Sequence, residues 1–245
     1  MTNNDIDIKI KKIVDKYNFI GKNKYTLIVL FGLLGDFDSI EYAINLKNLI
    51  RNNKKIDLNI FALAIGEEKG KEKFCNFTGF PKENLEVIPN NNIHSALLIS
   101  KGIDMGLGGW LNLLLMLSGI NSLQTIKEVI RGYTGDRNAA QIFSETDQIK
   151  ILNFIKISGN SFKQAFGEGY LRPFELATFR LKNMIEIIRN WNDYILNDEF
   201  LPQRGASFVL NSENEVIYEY FSKDILGYSS NMQDPLFFLS KICNE

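Results

Sequence analysis

The sequence predicts an α/β protein with a central sheet, in which a helical section separates an N-terminal βαβ part from a C-terminal β-hairpin and helix. Two apolar runs, "TLIVLF" (26–31) and "LNIFALAIG" (58–66), are too apolar to leave one face in water. Such runs are typical of strands that are covered on both faces. Helical patterns follow each of them, and "GASFVLNSENEVIYEYF" near the C-terminus is typical of a hairpin.

The N-terminal part alternates strands and helices with short connections, which predicts a parallel sheet with right-handed crossovers. An amphipathic helix is expected before the first strand, and Gly79 ends the helix that follows the second strand. The predicted helices cover 5–20, 39–51, 67–79 and 92–102, and the predicted strands cover 26–31, 58–66 and 83–90.

The middle of the chain, 103–200, is rich in helix signals and poor in strand signals. Helices are predicted over 122–132 and 172–196, the second with Pro173 in its first turn. After them come a hairpin that turns at 212–214 and a last helix over 234–242. This order is that of the thioredoxin fold with an enlarged middle, and it predicts one domain over 1–245, made of 25–102, 103–200 and 201–242.

Composition excludes several classes of function. A net charge of −1 over 245 residues gives no reason to expect nucleic acid as a partner. The single histidine, His94, excludes a His-rich metal site, and neither a metal nor a cofactor is predicted. Two distant cysteines, Cys75 and Cys243, indicate a reducing compartment without a structural disulfide. With no apolar core of a secretory signal, a cytoplasmic or plastid stromal location is expected.

The longest apolar run is "LGGWLNLLLMLSGI" at 107–120. It is shorter than the ~18 apolar residues expected of a spanning helix. We interpret it as a helix that is buried or covered by a partner. An unknown protein or a second copy could cover it, and peripheral contact with a membrane is the alternative.

The turn "LGDFDSIE" (34–41) is the main candidate for a functional site. It places Asp36, Asp38, Ser39 and Glu41 between a predicted strand and a predicted helix. Asp38 followed three residues later by Glu41 is a variant of a capping box, with Asp38 as N-cap. The alternative is an acidic site that contacts a cation or a polar partner. Two carboxylates without a larger cluster are weak evidence for a metal.

The other polar and sulfur-containing candidates favour structural roles. Cys75 lies among phenylalanines on a helix, where a cysteine is usually a small buried hydrophobe. "RGYTGDR" (131–137) lacks the phosphate-loop pattern and is interpreted as a turn held by contact between an aspartate and an arginine, or else as a partner or anion site. His94 is expected to be a surface or packed helix residue.

Three segments carry a family resemblance: "FCNFTGFPKENLEV" (74–87), "RGYTGDR" (131–137) and "QRGASFVLNSENEVIYEY" (203–220). With them the sequence resembles the peroxiredoxin-like branch of the alkyl hydroperoxide reductase/thiol-specific antioxidant (AhpC/TSA) superfamily, and is similar to a subgroup found in photosynthetic organisms. The resemblance implies a thioredoxin-like fold over most of 25–240.

The resemblance also implies where a catalytic thiol would lie. In that superfamily the peroxidatic cysteine follows the first core strand, at the start of the next helix, where the helix N-terminus lowers the thiol pKa. The position often reads Gly-Cys-x-x-Cys, and after Gly35 those two cysteines fall on Asp36 and Ser39. Arg204 resembles the arginine that holds the peroxide and the thiolate, and we expect it to form an ion pair with Asp36.

Two functions follow as expectations. In the first, the chain keeps the fold as a binding or scaffold protein and is not a thiol peroxidase, since Asp36 and Ser39 stand where the thiols would be. In the second, it retains a thiol oxidoreductase or antioxidant activity that uses Cys75 or Cys243.

Overall fold

The computed structural model describes residues 3–19, 21–52, 57–151, 155–167 and 173–243. The helices are α1 (Asn3–Tyr17), α2 (Phe37–Asn52), α3 (Glu68–Thr78), α4 (Asn92–Ala96), α5 (Gly109–Leu117), α6 (Leu123–Thr134), α7 (Gly159–Phe166), α8 (Glu175–Arg189), α9 (Trp191–Tyr194) and α10 (Phe237–Cys243). The strands are β1 (Tyr25–Leu33), β2 (Leu58–Ile65), β3 (Leu85–Ile88), β4 (Gln148–Ile151), β5 (Ile155–Ser158), β6 (Ala206–Leu210) and β7 (Val216–Phe221).

The central sheet has the order β3-β2-β1-β6-β7. Strands β1, β2 and β3 are parallel, and β6 and β7 are antiparallel to their neighbours. Every residue of β1 is buried, as its continuous apolar run predicts. The predicted α/β architecture with a thioredoxin-like central sheet is confirmed.

Pairing of β1 with β6 brings the end of β1 against the segment that precedes β6. Leu30 pairs with Ala206, so Gly32 lies beside the backbone just before that strand. A Cβ added at Gly32 would lie 2.4 Å from the Gln203 carbonyl oxygen. Because only glycine allows this approach, the backbone carrying Arg204 can pass next to the turn that follows β1.

Several element boundaries in the prediction are wrong. The predicted helix over 92–102 is limited to α4, and the last helix begins at Phe237. The long helix over 172–196 is divided into α8 and α9, and Pro173 lies outside α8, next to Phe174 with a left-handed φ of 69°. Arg172 lies outside the described residues. The middle section also contains an antiparallel pair, β4 and β5, which the prediction missed although their isoleucines alternate with polar residues.

Helices α5, α6 and α8 of the middle section each bury some polar side chains. Helix α6 buries Thr125 and Glu128 but exposes Leu123 and Ile130. Helix α5, in the apolar run, buries one side that includes Asn112 and exposes the other. Over the described ranges no helix combines the length and the apolar character needed to span a membrane.

Candidate functional site

The turn between β1 and α2 differs by one detail from the predicted helix cap. Helix α2 begins at Phe37, so Asp36 directly precedes it and Asp38 lies in its first turn. The Asp36 carboxylate accepts a hydrogen bond from the Ser39 hydroxyl at 3.4 Å. The capping box with Asp38 as N-cap is therefore wrong, because the side chain of Asp38 points to another element.

Arg204 joins the two aspartates. Its guanidinium donates from Nη2 to Asp36 Oδ1 at 3.2 Å and from Nη1 to Asp38 Oδ2 at 3.1 Å. Its Nε donates to the Pro202 carbonyl at 2.8 Å. The Arg204 side chain is 0% exposed, and both carboxylates are buried. The ion pair expected between Asp36 and Arg204 is present, and we call Asp36, Asp38 and Arg204 the acidic cluster.

Asp38 connects the acidic cluster to the chain beyond the hairpin, since its Oδ1 accepts the backbone N–H of Leu226 at 2.8 Å. Burial and the neighbouring Asp36 carboxylate raise the pKa of Asp38 to about 8, although Arg204 acts in the opposite direction. Burial also raises the pKa of Asp36 against the effect of Arg204. Two carboxylates that face one guanidinium thus hold a proton near neutral pH.

A cavity of about 20 Å³ lies beside the acidic cluster. Its volume is that of a water-sized molecule. Its polar lining comes from Asp36, Asp38, Ser39, Tyr42, Ser207, Ser222 and Tyr228. The hydroxyls of Tyr42 and Ser207 are hydrogen bonded to each other at 2.9 Å. The arrangement can bind a small polar molecule and hold a proton, but a carboxylate cannot reduce a peroxide as a thiolate does.

A second ionic cluster joins α2 to the middle section, and we call it the balanced cluster: Glu41, Glu128, Arg131 and Arg180. Arg180 donates to both carboxylate oxygens of Glu41, at 2.8 and 3.2 Å, and to Glu128 Oε2 at 3.1 Å. Arg131 donates to both oxygens of Glu128, from Nε at 3.0 Å and Nη2 at 2.7 Å. The sequence analysis missed this cluster, because nothing local to Arg180 indicates a partner 139 residues away.

Neither cysteine lies at the strand-to-helix turn. Cys75 is 7% exposed in the hydrophobic core, which confirms the predicted burial. Burial raises the pKa of its thiol to about 11, and burial also raises the pKa of Cys243, which is half-buried near the C-terminus. Because the thiolate is the nucleophile, these shifts oppose reactivity at neutral pH.

The remaining candidates occupy structural positions. His94 is fully buried, and its Nε2 is hydrogen bonded to the Phe31 carbonyl at 2.7 Å, while burial lowers its pKa to about 4. Arg131 lies inside α6 and its Nη1 is 3.9 Å from Asp136 Oδ2, so the expected contact is formed from a helix rather than within a turn. Among the described residues, no three His, Cys, Asp or Glu side chains are grouped so that they could hold a metal ion.

A family model described as AhpC/TSA antioxidant enzyme matches residues 45–224. The matched region contains Cys75, the 131–137 segment and Arg204, and it begins after the turn that carries Asp36 and Asp38. Comparison with curated proteins and with solved structures gives no match.

Proposed function

Because this chain belongs to the AhpC/TSA antioxidant enzyme family, we propose that it keeps the family's fold without thiol peroxidase chemistry and serves as a binding or scaffold protein. The observation that carries the proposal is the acidic cluster. Asp36 and Ser39 stand at the two positions where the resemblance places cysteines, and Arg204 is bound to Asp36.

The exchange of a thiol for a carboxylate at this turn is electrostatically conservative. A helix N-terminus offers unpaired N–H groups and a positive potential, which stabilise a carboxylate as well as a thiolate. The pair of Asp36 and Arg204 replaces a thiolate–arginine pair, and Asp38 adds a second carboxylate that contacts the same guanidinium. Because the thiol nucleophile is absent, we expect the site to bind a polar group or to stabilise the fold, and not to reduce a peroxide.

The alternative is a thiol oxidoreductase that uses Cys75 or Cys243. Both thiols have pKa values raised by burial, and Cys75 is enclosed by the core. The helix start that lowers a thiol pKa in this fold lies at Asp36, before α2, whereas Cys75 lies inside α3 and Cys243 ends α10. The first proposal therefore has the stronger support.

Peroxide turnover separates the two proposals. The purified chain is mixed with hydrogen peroxide or an alkyl hydroperoxide and a dithiol reductant, and it is compared with a Cys75→Ser/Cys243→Ser variant. We expect the two proteins to consume peroxide at the same background rate. Turnover well above background that disappears in the double variant would overturn the proposal.

A second variant tests whether the turn still has the electrostatics of a thiol site. Asp36→Cys is made in the Cys75→Ser/Cys243→Ser background with Asp38→Asn, so that the new thiol faces Arg204 without a neighbouring carboxylate. We expect its pKa, measured by the pH dependence of alkylation, to lie below the ordinary value of about 8.5. A pKa at or above that value would show that the turn no longer favours an anion.

A further inference from the structure

A cleft of about 760 Å³ lies between helix α2 and the middle section. Its lining comes from α2, the end of α3, helix α8, and parts of the segments 138–147 and 232–236. The volume lies within the range of about 300–1,000 Å³ that is typical of small-molecule sites. Asp36, Asp38 and Arg204 do not line this cleft, so it is separate from the acidic cluster and its much smaller cavity.

Three cations line one part of the cleft. Lys47 and Arg51 lie one helical turn apart on the same face of α2, and Lys182 comes from α8. Lys182 Nζ lies 5.2 Å from the centre of the Phe77 ring, and a Cβ added at Gly79 would lie 2.9 Å from Lys47 Cε. Both lysines therefore reach the C-terminal end of α3, and we call Lys47, Arg51 and Lys182 the basic cluster.

The basic cluster has no carboxylate partner in the described part of the chain. Lys47 Nζ donates to the neutral Asn48 Oδ1 at 3.2 Å, and Lys182 contacts the Phe77 ring. Like charges one helical turn apart, as on α2, destabilise a helix. The C-terminal ends of α2 and α3 offer about half a negative charge each, which is less than the charge of the three side chains. A further anion at this place would therefore stabilise the arrangement.

Carboxylates also line the cleft, and two of them are held by other groups. Glu41 lies six residues before Lys47, about 9 Å along α2, and both of its oxygens accept hydrogen bonds from Arg180. Asp147 accepts the backbone N–H of Ser144 at 2.7 Å, within the turn that precedes β4. Neither carboxylate is in ion-pair contact with the basic cluster.

The third carboxylate of the lining, Asp234, is exposed and forms no ion pair with a described residue. Two residues before it, the Met232 carbonyl accepts a hydrogen bond from Arg131 Nη2 at 3.0 Å. Arg131 is the fourth cation of the lining, and it is bound to both oxygens of Glu128. Outside the balanced cluster the lining thus has three unpaired cations and one unpaired carboxylate.

From this surplus of unpaired cations we propose that the cleft binds a small organic phosphate, with its phosphate group at the basic cluster. A phosphate group carries up to two negative charges, and arginine and lysine are its usual partners. Asn138, Gln141 and Gln233 also line the cleft, and their exposed amides can donate to and accept from hydroxyl groups. We therefore expect a phosphate that carries hydroxyl groups, either a sugar phosphate or a nucleotide. The inference rests on the proposed binding function and names its ligand class.

An aliphatic carboxylate matches the cleft less well. It would bring one negative charge to three cations. The large apolar residues Phe143, Leu176 and Phe179 are part of the lining, but they are almost fully buried in a hydrophobic cluster of the middle section. They therefore expose little surface to an acyl chain.

Isothermal titration calorimetry with the full chain tests the proposal. Ribose 5-phosphate and ADP are titrated at low salt, beside ribose, adenosine and decanoate. We expect at least one of the two phosphates to bind with a Kd below about 1 mM and at least tenfold more tightly than its unphosphorylated counterpart. The phosphate that binds distinguishes a sugar phosphate from a nucleotide. Absence of binding by both phosphates, or tighter binding of decanoate, would overturn the proposal.

Variants locate the site. Lys47→Met, Arg51→Met and Lys182→Met keep most of each apolar stem and remove the charge, and each is expected to weaken binding by about tenfold. Lys12→Met, at an exposed site on α1, is the matched control and should leave the Kd unchanged. Asp234→Asn is expected to strengthen binding, since it removes a negative charge from the lining. Loss of binding in Asp234→Asn would overturn the proposal, because it would assign the cleft to a cationic ligand.

Thermal melting gives a readout that a purely structural role of the basic cluster would not give. Without ligand, Lys47→Met is expected to melt at or above the temperature of the native chain, since it relieves repulsion between like charges. With the bound phosphate in excess the order should reverse, because the ligand stabilises the native chain more. A lower melting temperature of Lys47→Met without ligand, with an unchanged Kd, would overturn the proposal. Peroxide turnover enters neither measurement, so failure of this inference and failure of the proposed loss of peroxidase chemistry are distinguishable.

Discussion

The two buried ionic clusters around the start of α2 differ in their balance of charge. The acidic cluster sets two carboxylates against the single guanidinium of Arg204. The balanced cluster sets Glu41 and Glu128 against Arg131 and Arg180. On the acidic side the pKa of Asp38 is raised to about 8, chiefly by burial and then by the neighbouring Asp36 carboxylate. A second buried carboxylate that shares one guanidinium therefore lets the acidic cluster take up or release a proton near neutral pH.

The two clusters also connect different parts of the fold. Arg204 and Asp38 join the start of α2 to the backbone on either side of the β6–β7 hairpin, inside the central sheet region. The balanced cluster joins α2 to α6 and α8, two helices of the middle section. The acidic cluster thus holds the start of α2 against the central sheet, and the balanced cluster holds the helices of the middle section against α2.

Removal of Arg204 should have the largest effect on stability. Arg204→Met leaves Asp36 and Asp38 buried without a cation, and breaking a buried ion pair in this way costs about 3–5 kcal/mol. We expect that loss in the free energy of unfolding, measured by urea denaturation at pH 7. The loss should be smaller at pH 5, where both carboxyls can be neutral. An equal loss at both pH values would show that Arg204 acts by packing alone.

Removal of an arginine from the balanced cluster should lower the free energy of unfolding less, because Glu128 keeps its contact with Arg131 when Arg180 is lost. Arg180→Met is expected to lower the free energy of unfolding by about 1.5–3 kcal/mol, the range for a hydrogen bond to a charged group. Adding Glu41→Gln should recover part of that loss, since the uncompensated carboxylate is then removed. A double-mutant cycle in urea measures the coupling. Additive losses would mean that Arg180 and Glu41 do not stabilise each other.

Near neutral pH the acidic cluster should make stability fall as pH rises. The folded-state pKa of Asp38 is about 8, well above the ~3.9 of an unfolded chain. The stability contributed by its protonated form is thus complete below pH ~4 and is lost as pH rises through about 8. His94 has the opposite sign, since its pKa is lowered to about 4 and its contribution is lost as pH falls below ~6.5.

The interval from pH 6.5 to 7.5 therefore probes the acidic cluster, since the raised thiol pKa values of Cys75 and Cys243 affect stability only at higher pH. There we expect the free energy of unfolding to fall by at most about 1.4 kcal/mol per pH unit, the value for one proton. Asp38→Asn should flatten this slope, while Glu41→Gln, in the balanced cluster, should leave it unchanged. A slope that survives in Asp38→Asn would assign the proton to another group.

The sequence predicted the sheet and the location of the turn because both depend on local patterns. Continuous apolar runs identify strands covered on both faces, and glycine with aspartate and serine identifies a strand-to-helix turn. The choice between Asp36 and Asp38 as the residue before the helix failed, since boundaries differ by a residue or two even between methods of assignment.

The ion pairs between distant residues, and the direction in which the apolar side of α6 faces, could not be predicted from the sequence. The spacing of Leu123, Ile126 and Ile130 shows that they share a face, but periodicity does not show whether that face points to the core or to solvent. The inward side of α6 carries Glu128, which meets Arg180 of α8 and, through it, Glu41 of α2. That contact depends on the folded arrangement of three helices, so no local pattern reports it.

The smallest expected effect concerns Ser39, at the second position where the resemblance places a cysteine. Its hydroxyl donates to Asp36 across 3.4 Å, a long hydrogen bond, and Ser39→Ala is expected to lower the free energy of unfolding by about 1 kcal/mol or less. Loss of the donor should raise the pKa of Asp36 further, because that hydrogen bond favours the ionised carboxylate.

The measurement is urea denaturation of Ser39→Ala across pH 6.5 to 8.5. Thr134→Ala, which loses an exposed hydroxyl, is the matched control. A larger loss at pH 8.5 than at pH 6.5 in Ser39→Ala alone would assign the hydroxyl to the acidic cluster, whereas equal losses at both would make it a helix-start contact without influence on the proton.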